Sequence, residues 1–290
     1  MSFDALADKQ NADGGWPYRR GSSWTEPTAY AALAMLAAGE KARARKAIAW
    51  LRGLEGADGG WRPRPGVEDS TWVTALVALV PREEFGAAAH DRAVGWLVDV
   101  TGAESGAVVR LRSWLLGEAP NPDARFAGWP WMEGSAAWVE PTALAILALE
   151  REPERRNARL RAAEGRRFLM NRRCSSGGWN HGSTHAVGYA TKEYPESTGR
   201  ALAALAGEPK AALERSIGLA RGFLDESRSA DAINWLRLGL TAQGAPLERY
   251  RPPEEVVYRM VPEIALDLLL SAGPAGYSLL LGNPAAGGRR

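Results

Sequence analysis

The chain has 290 residues, 46% hydrophobic and 24% charged, with a formal net charge of +2. That is ample for a buried core, and near-neutrality gives no electrostatic footprint for a nucleic-acid partner. Apolar runs at 266–270 and 279–281 are broken by Asp267, Gly273 and Pro274, so no membrane span is expected, and the opening MSFDALADKQ predicts no secretory signal. The single cysteine, Cys174, excludes an internal disulfide and fits a cytoplasmic protein.

In chain order, SFDALADKQ predicts an outer helix, followed by a turn at Gly15-Trp16 and by EPTAYAALAML from Glu26, a helix apolar on most sides as buried helices are. KARARKAIAWLRGLE carries its charges on one face and predicts a second outer helix ending at Trp50-Leu51. Gly60-Trp61 and DSTWVTALVAL from Asp69 repeat the theme, and a third outer helix ends at Trp96-Leu97. ESGAVVRLRSWLLGE reads as a degenerate inner helix, and GEAPNPDAR as a loop where an outer helix belongs. Gly128-Trp129 with EPTALAILAL from Glu140, then Phe168-Leu169, Gly178-Trp179 and ESTGRALAAL from Glu196, restore the pattern. After Phe223-Leu224, ADAINWLRLGLTAQG is a second degenerate inner helix, and PPEEVVYRMVPEIALDLLLSAG predicts a last outer helix.

Four segments therefore share an acid, any residue, threonine and an apolar helix, each behind a glycine-tryptophan turn. Trp50 to Trp61 and Phe168 to Trp179 have the same spacing. Each unit reads as outer helix, turn, loop and inner helix. The glycines supply turn conformations, the acid is expected at the N-cap, and Pro27 and Pro141 sit at a helix start. The prediction is an all-α (α/α)6 toroid over residues 1–273, with one irregular repeat around 105–139 and a C-terminal tail at 274–290. An unclosed helical solenoid is the other architecture such repeats can build.

The turns ADGGW followed by EPTA or DSTW resemble the repeats of squalene–hopene cyclases and protein prenyltransferase β subunits over residues 9–205. GGWNHG followed by YPESTGRALAAL is especially similar to small bacterial single-toroid proteins with prenyltransferase/squalene-oxidase repeats. The resemblance implies a central cavity for an isoprenoid or other long apolar ligand. In triterpene cyclases an Asp-x-Asp-Asp-Thr-Ala segment opens an inner helix, and its middle acid protonates an alkene. Alignment of Thr-Ala places Glu26 and Glu140 on that acid, flanked by Trp24 and Pro27 or by Trp138 and Pro141 instead of carboxylates; Asp69, beside Glu68, falls there between Val67 and Ser70. The prenyltransferase zinc cysteine corresponds to Thr28, Thr71, Thr142 or Thr198, which are poor zinc ligands, so zinc-dependent prenyl transfer is not expected. The Asp-Asp magnesium motif of class I terpene synthases is missing, and no cofactor or metal is expected. From the prenyltransferases the resemblance keeps arginines after the turn tryptophans, Arg19 and Arg64 with Arg20 and Arg62, which suit a diphosphate.

The candidate acids are thus Asp69, Glu68, Glu140 and Glu26, and their simplest alternative role is helix capping, worth ~1 kcal/mol each. Trp16, Trp61, Trp129 and Trp179 read as turn-packing residues. Trp24, Trp72, Trp131 and Trp138 lie nearer the inner-helix mouths, where aromatic faces suit polyprenes and carbocations. His181, His185 and Tyr189 lie on a long loop, 181–194, that could cover such a mouth or be a plain surface excursion; with Cys174 the histidines lack metal-site spacing. Whether the chain is an enzyme stays open here. The alternative is a non-enzymatic scaffold or partner subunit, and AVVRLRSWLLG and GYSLLLGNP are candidate surfaces for a second copy, a partner protein or a peripheral membrane contact.

Overall fold

The computed structural model describes residues 2–106, 115–116, 125–182, 185–186, 189–245, 247, 250, 253 and 255–282, with backbone alone at 185, 186, 189 and 190. Helices dominate, as expected of an all-α chain. Among the described residues strands form only two short antiparallel pairs, β1 (Trp129–Pro130) with β2 (Ala137–Trp138) and β3 (His185–Ala186) with β4 (Tyr189–Ala190). The chain divides into two compact units, residues 1–97 with 254–290, and residues 98–253.

The first unit contains α1 (Phe3–Ala7), α2 (Thr25–Ala37), α3 (Lys41–Arg52), α4 (Val73–Ala78), α5 (Arg82–Phe85), most of α6 (Ala87–Asp99), α12 (Val261–Ser271) and α13 (Pro274–Leu281). Helix α2 is buried from Pro27 to Met35 and packs against α3, α4, α12 and α13. Helix α3 buries only the stripe Ala44, Ala47, Ile48 and Leu51, the i, i+3, i+4, i+7 pattern of an amphipathic helix. Val261–Ser271 departs from its expected outer position: it buries Val261, Ile264, Ala265, Leu266, Leu268, Leu269 and Leu270 beside α2. Glu255 and Arg259 of the same segment precede the helix.

The second unit contains α7 (Val139–Leu149), α8 (Arg156–Asn171), α9 (Pro195–Ala204), α10 (Lys210–Glu226) and α11 (Ala230–Ala242). Helix α9 packs on α7 and, most extensively, on α11. A Cβ at Gly199 would fall on the Trp235–Leu236 backbone, and one at Gly239 on the Gly199 carbonyl, so these two helices touch backbone to backbone.

Within each unit the turns obey one bonding rule. The first glycine of the pair has positive φ (95° at Gly14, 83° at Gly59, 106° at Gly177), and the second has no space for a Cβ. The tryptophan that follows is buried, and its indole N–H donates to the end of the preceding helix: Trp16 to the Leu6 carbonyl, Trp61 to Leu51 and Trp179 to Leu169 at 2.6–2.8 Å. Its backbone N–H donates to a threonine hydroxyl of the next helix: Trp16 to Thr28, Trp61 to Thr74 and Trp129 to Thr142 at 2.8 Å, and Trp179 to Thr198 at 3.1 Å.

That rule corrects the repeat register. Thr74, not Thr71, matches Thr28 and Thr142, so Glu68 and Asp69 precede the helix and lie exposed in its leading loop. The acid of the other repeats is not the N-cap either. Trp24, Trp138 and Tyr194 hold that position in extended conformation, and Glu26, Glu140 and Glu196 are the second helical residues. The bridges Trp16–Trp24 and Trp129–Trp138 keep these aromatics extended and delay the helix start.

Two repeats brace their turns with an aspartate. Asp58 accepts hydrogen bonds from Gly60 N–H, the Ser70 hydroxyl and the Trp96 indole, as Asp13 does from Gly15, Ser23 and Trp50. Burial pushes the Asp58 carboxyl up, but the bonds from Ser70, Gly60 and Trp96 outweigh it and hold the pKa below the ordinary 3.8. The third turn has Phe126 in that place, and buried Arg161 ties it instead. Its guanidinium donates to the carbonyls of Val100, Ala127 and Gly128 at 3.0 Å and lies 3.5 Å from the Trp129 ring centroid. Burial lowers its pKa to about 10.

Replacement of Thr74 by valine strands a buried N–H and is expected to cost about 1–3 kcal/mol in urea unfolding. Thr71→Val, which removes a buried hydroxyl without a hydrogen-bond partner, is expected to change stability by less than about 0.5 kcal/mol. Equal losses for both would sink the corrected register.

Candidate functional site

In the first unit the candidate residues gather at the start of α2. Tyr18 donates its hydroxyl to Glu26, and its ring lies 5.5 Å from that of Trp24. Arg64 stands 5.0 Å over the same indole. The segment carrying Arg64 is fixed there because Thr25 donates to the carbonyls of Pro63 (2.9 Å) and Arg62 (2.6 Å). Arg62 itself donates to the Gly53 and Leu54 carbonyls and lies 3.8 Å from Glu68, whose side chain is 87% exposed. Arg19 and Asp69 are exposed and Trp72 is half-buried.

The second unit assembles a more buried cluster at the N-terminal ends of α7, α9 and α11. Glu140, Glu196 and Asp231 are each the second residue of their helix, where the positive end of the helix dipole favours carboxylate. Arg200, one turn into α9 and only 8% exposed, joins them: its Nη2 lies 3.2 Å from Glu140 and 3.0 Å from Asp231, with the guanidinium 4.8 Å from the Trp235 ring. Aromatic groups stand at the N-caps of α7 and α9, Trp138 and Tyr194. Trp138 packs against His181 at 5.8 Å, and His181 against Tyr194 at 4.8 Å. The Val139 N–H donates to the His181 carbonyl at 2.9 Å, so the loop after the fourth turn crosses the start of α7. Arg172 supports that loop by donating to the Gly182 carbonyl at 2.7 Å, and lies 3.8 Å from Glu104, which accepts from the Ala137 N–H.

Electrostatically this cluster has three acids for one arginine. Burial is the largest influence on Glu140 and raises its pKa above 4.5; Arg200 pulls it down, and the charges of Asp231 and Glu196 push it up again. A fifth of the side chain (21%) reaches solvent, and burial with the two neighbouring acids raises the carboxyl's pKa above that of a free glutamate.

Glu140, Trp138 and His181 are thus brought together in the second unit, and Glu26, Trp24 and Arg64 in the first. Trp131 is half-buried just beyond β1, and the side chains of His185 and Tyr189 lie outside the described residues. Of the candidate contact segment 107–117 only Leu115 and Leu116 are described, both exposed. Three participants escaped the sequence reading: Tyr18, Arg200 and Asp231. A charged residue inside the otherwise small and apolar ESTGRALAAL is the signal that marks Arg200, and the second-residue acid of ADAINWL marks Asp231.

No protein-family model matches the chain, and no curated protein sequence matches it. Its fold is terpene cyclase-like. The structure of the type II terpene cyclase MstE from Scytonema, in its apo form, matches over 94% of this chain and 80% of that one, with a TM-score of 0.54 and 18% identity. A variant of the same cyclase, in complex with its substrate geranylgeranyl dihydroxybenzoate, matches with a TM-score of 0.52 and 18% identity, over 94% and 79% of the two chains. At such identity the likeness concerns the fold. Among the described residues no helix is long and apolar enough to cross a membrane.

A carboxyl whose folded pKa lies above its unfolded value costs no stability below about pH 4.5, and costs progressively more as pH rises towards the folded value. Glu140→Gln is therefore expected to gain on the native chain in urea midpoint between pH 4.5 and 7.5. Arg200→Met is expected to lose about 3 kcal/mol at pH 7, where it leaves two acids without their cation, and less at pH 4. A Glu140→Gln difference that is independent of pH would rule out the raised carboxyl.

Proposed function

We propose that the chain is a terpenoid-cyclase-like (α/α)6 toroid that takes an isoprenoid or other long apolar ligand, with Glu140 as the acid of a cyclisation begun by protonation. The reading is carried by one observation: a buried carboxyl with a raised pKa, beside a buried arginine, at the aromatic-capped start of an apolar helix. The terpene cyclase-like fold, and the prenylated substrate bound by the matched cyclase, support the choice of ligand class.

Burial raises the Glu140 pKa and so shifts the carboxyl towards its protonated form. When an alkene approaches, the carboxyl O–H bond breaks, the π electrons form the new C–H bond, and a tertiary carbocation remains on the ligand. The carboxylate left behind is stabilised by Arg200 at 3.2 Å. Loss of a proton from the cyclised cation, directly or through water, restores the acid. Trp138 offers an indole face to the cationic intermediate, the charge–quadrupole attraction being worth up to about 2 kcal/mol when desolvated. Asp231 holds Arg200 in place with both of its oxygens, at 3.0–3.1 Å from Nη2.

Native mass spectrometry with farnesyl, geranylgeranyl and squalene-type ligands tests the ligand class, and the absence of any complex would remove the reading. With a turned-over ligand, Glu140→Gln is expected to lower kcat by at least about 100-fold with little change in binding, while Asp69→Asn on the exposed loop leaves it unchanged. The opposite ranking would transfer the acid role to Asp69.

A further inference from the structure

The fourth turn departs from the first two in the residue that lies over its second glycine, and a groove opens there. In the first repeat the space over the second glycine is filled by Trp50, and in the second by Trp96: a Cβ on Gly15 or Gly60 would collide with those indoles. Both indoles donate their N–H to the turn aspartate, Trp50 to Asp13 at 3.0 Å and Trp96 to Asp58 at 2.9 Å. Over Gly178 the same space is met by Leu219, whose Cδ2 would lie 2.9 Å from an added Cβ. The acid–hydroxyl pair of the turn persists with its members exchanged. Ser176 takes the aspartate position and donates to Glu193, which takes the serine position, at 2.6 Å. The acceptor for an indole is therefore kept, while the indole has gone.

What remains beside Leu219 is a groove of about 420 Å³, lined by Ser176, Arg215, Leu219, Gly222, Phe223 and Glu226. Its floor is apolar and its α10 wall is low, since a Cβ at Gly218 or Gly222 would meet nothing within 4 Å. Arg215 and Glu226, about 16 Å apart along the helix at its rise per residue, give the two ends opposite charge.

We propose that this groove receives the tryptophan side chain of a partner protein, in the place that the chain's own tryptophans fill in the first two repeats. The indole lies on Leu219 and Phe223 with its N–H directed to the Ser176 hydroxyl oxygen, which lines the groove. The partner segment carries an acidic residue on the Arg215 side and a basic one on the Glu226 side. The inference is independent of the cyclase reading, because none of these residues belongs to the Glu140 cluster.

The probe is N-acetyl-5-fluorotryptophan amide, followed by fluorine NMR against the full-length protein. Its resonance is expected to broaden with the native chain and to stay sharp with Leu219→Trp, which refills the space from within. Gly222→Leu, which fills the groove from a position free of neighbours, is the second variant and is expected to behave alike. Peptides with tryptophan between an acidic and a basic residue, in both orders, form the other arm, and one order is expected to bind at least about tenfold more tightly than the amide. Equal broadening with all three proteins, or none with the native chain, overturns the site. Peptides no better than the amide overturn the polypeptide partner.

Discussion

The bond from the buried backbone N–H of a turn tryptophan to a threonine hydroxyl in the following helix sets the geometry of each repeat. In a desolvated turn that N–H must find an acceptor, and the hydroxyl is the one within reach. The bond fixes how far the inner helix begins behind the turn. At Trp16, Trp129 and Trp179 this leaves an extended aromatic before the helix and an acid at its second position. Where the threonine follows the acid by five residues instead of two, as in the second repeat, Trp72 takes the helix-start position and the acids Glu68 and Asp69 fall outside. One hydrogen bond thus decides whether a carboxylate is placed at a helix mouth or in a solvated loop.

Placement alone does not prepare an acid. A carboxylate at a helix start gains from the dipole and normally stays ionised, so Glu140 needs burial and two neighbouring acids to resist that bias. Arg200 works in the opposite direction and favours the carboxylate. Glu26 is handled otherwise: the phenol of Tyr18 donates a hydrogen bond to it. The two acids that the sequence treats as copies have different chemical surroundings.

The helical class, the turns and the buried tryptophans were legible in the sequence because each rests on local chemistry repeated several times. Glycine pairs, an indole and a run of Ala and Leu have few structural uses in that order. The register of the second repeat was not legible. Two threonines, Thr71 and Thr74, stand within one turn of each other, and only the direction of the Trp61 N–H separates them. The cap assignment failed for a similar reason: the sequence shows an acid before an apolar helix, whereas the position of the first turn depends on a bridge between Trp16 and Trp24 that no local pattern displays. The Arg200 cluster joins residues from three helices, far apart in sequence, and α11 lacks the glycine-tryptophan turn that drew attention to the others.

The backbone contact between α9 and α11 has a consequence for the chemistry of this cluster. Gly199 immediately precedes Arg200, and the backbone it touches, at Trp235–Leu236, lies one turn beyond Asp231. The absence of a side chain at Gly199 and Gly239 therefore acts as a spacer gauge, holding the guanidinium and its counter-ion at hydrogen-bonding range. A single methyl group inserted there would push the helices apart and weaken Arg200's hold on Asp231 without touching a titratable atom. The acidity of Glu140 is in this sense metered by a steric dimension, and two glycines with no functional group of their own belong to the machinery that sets it.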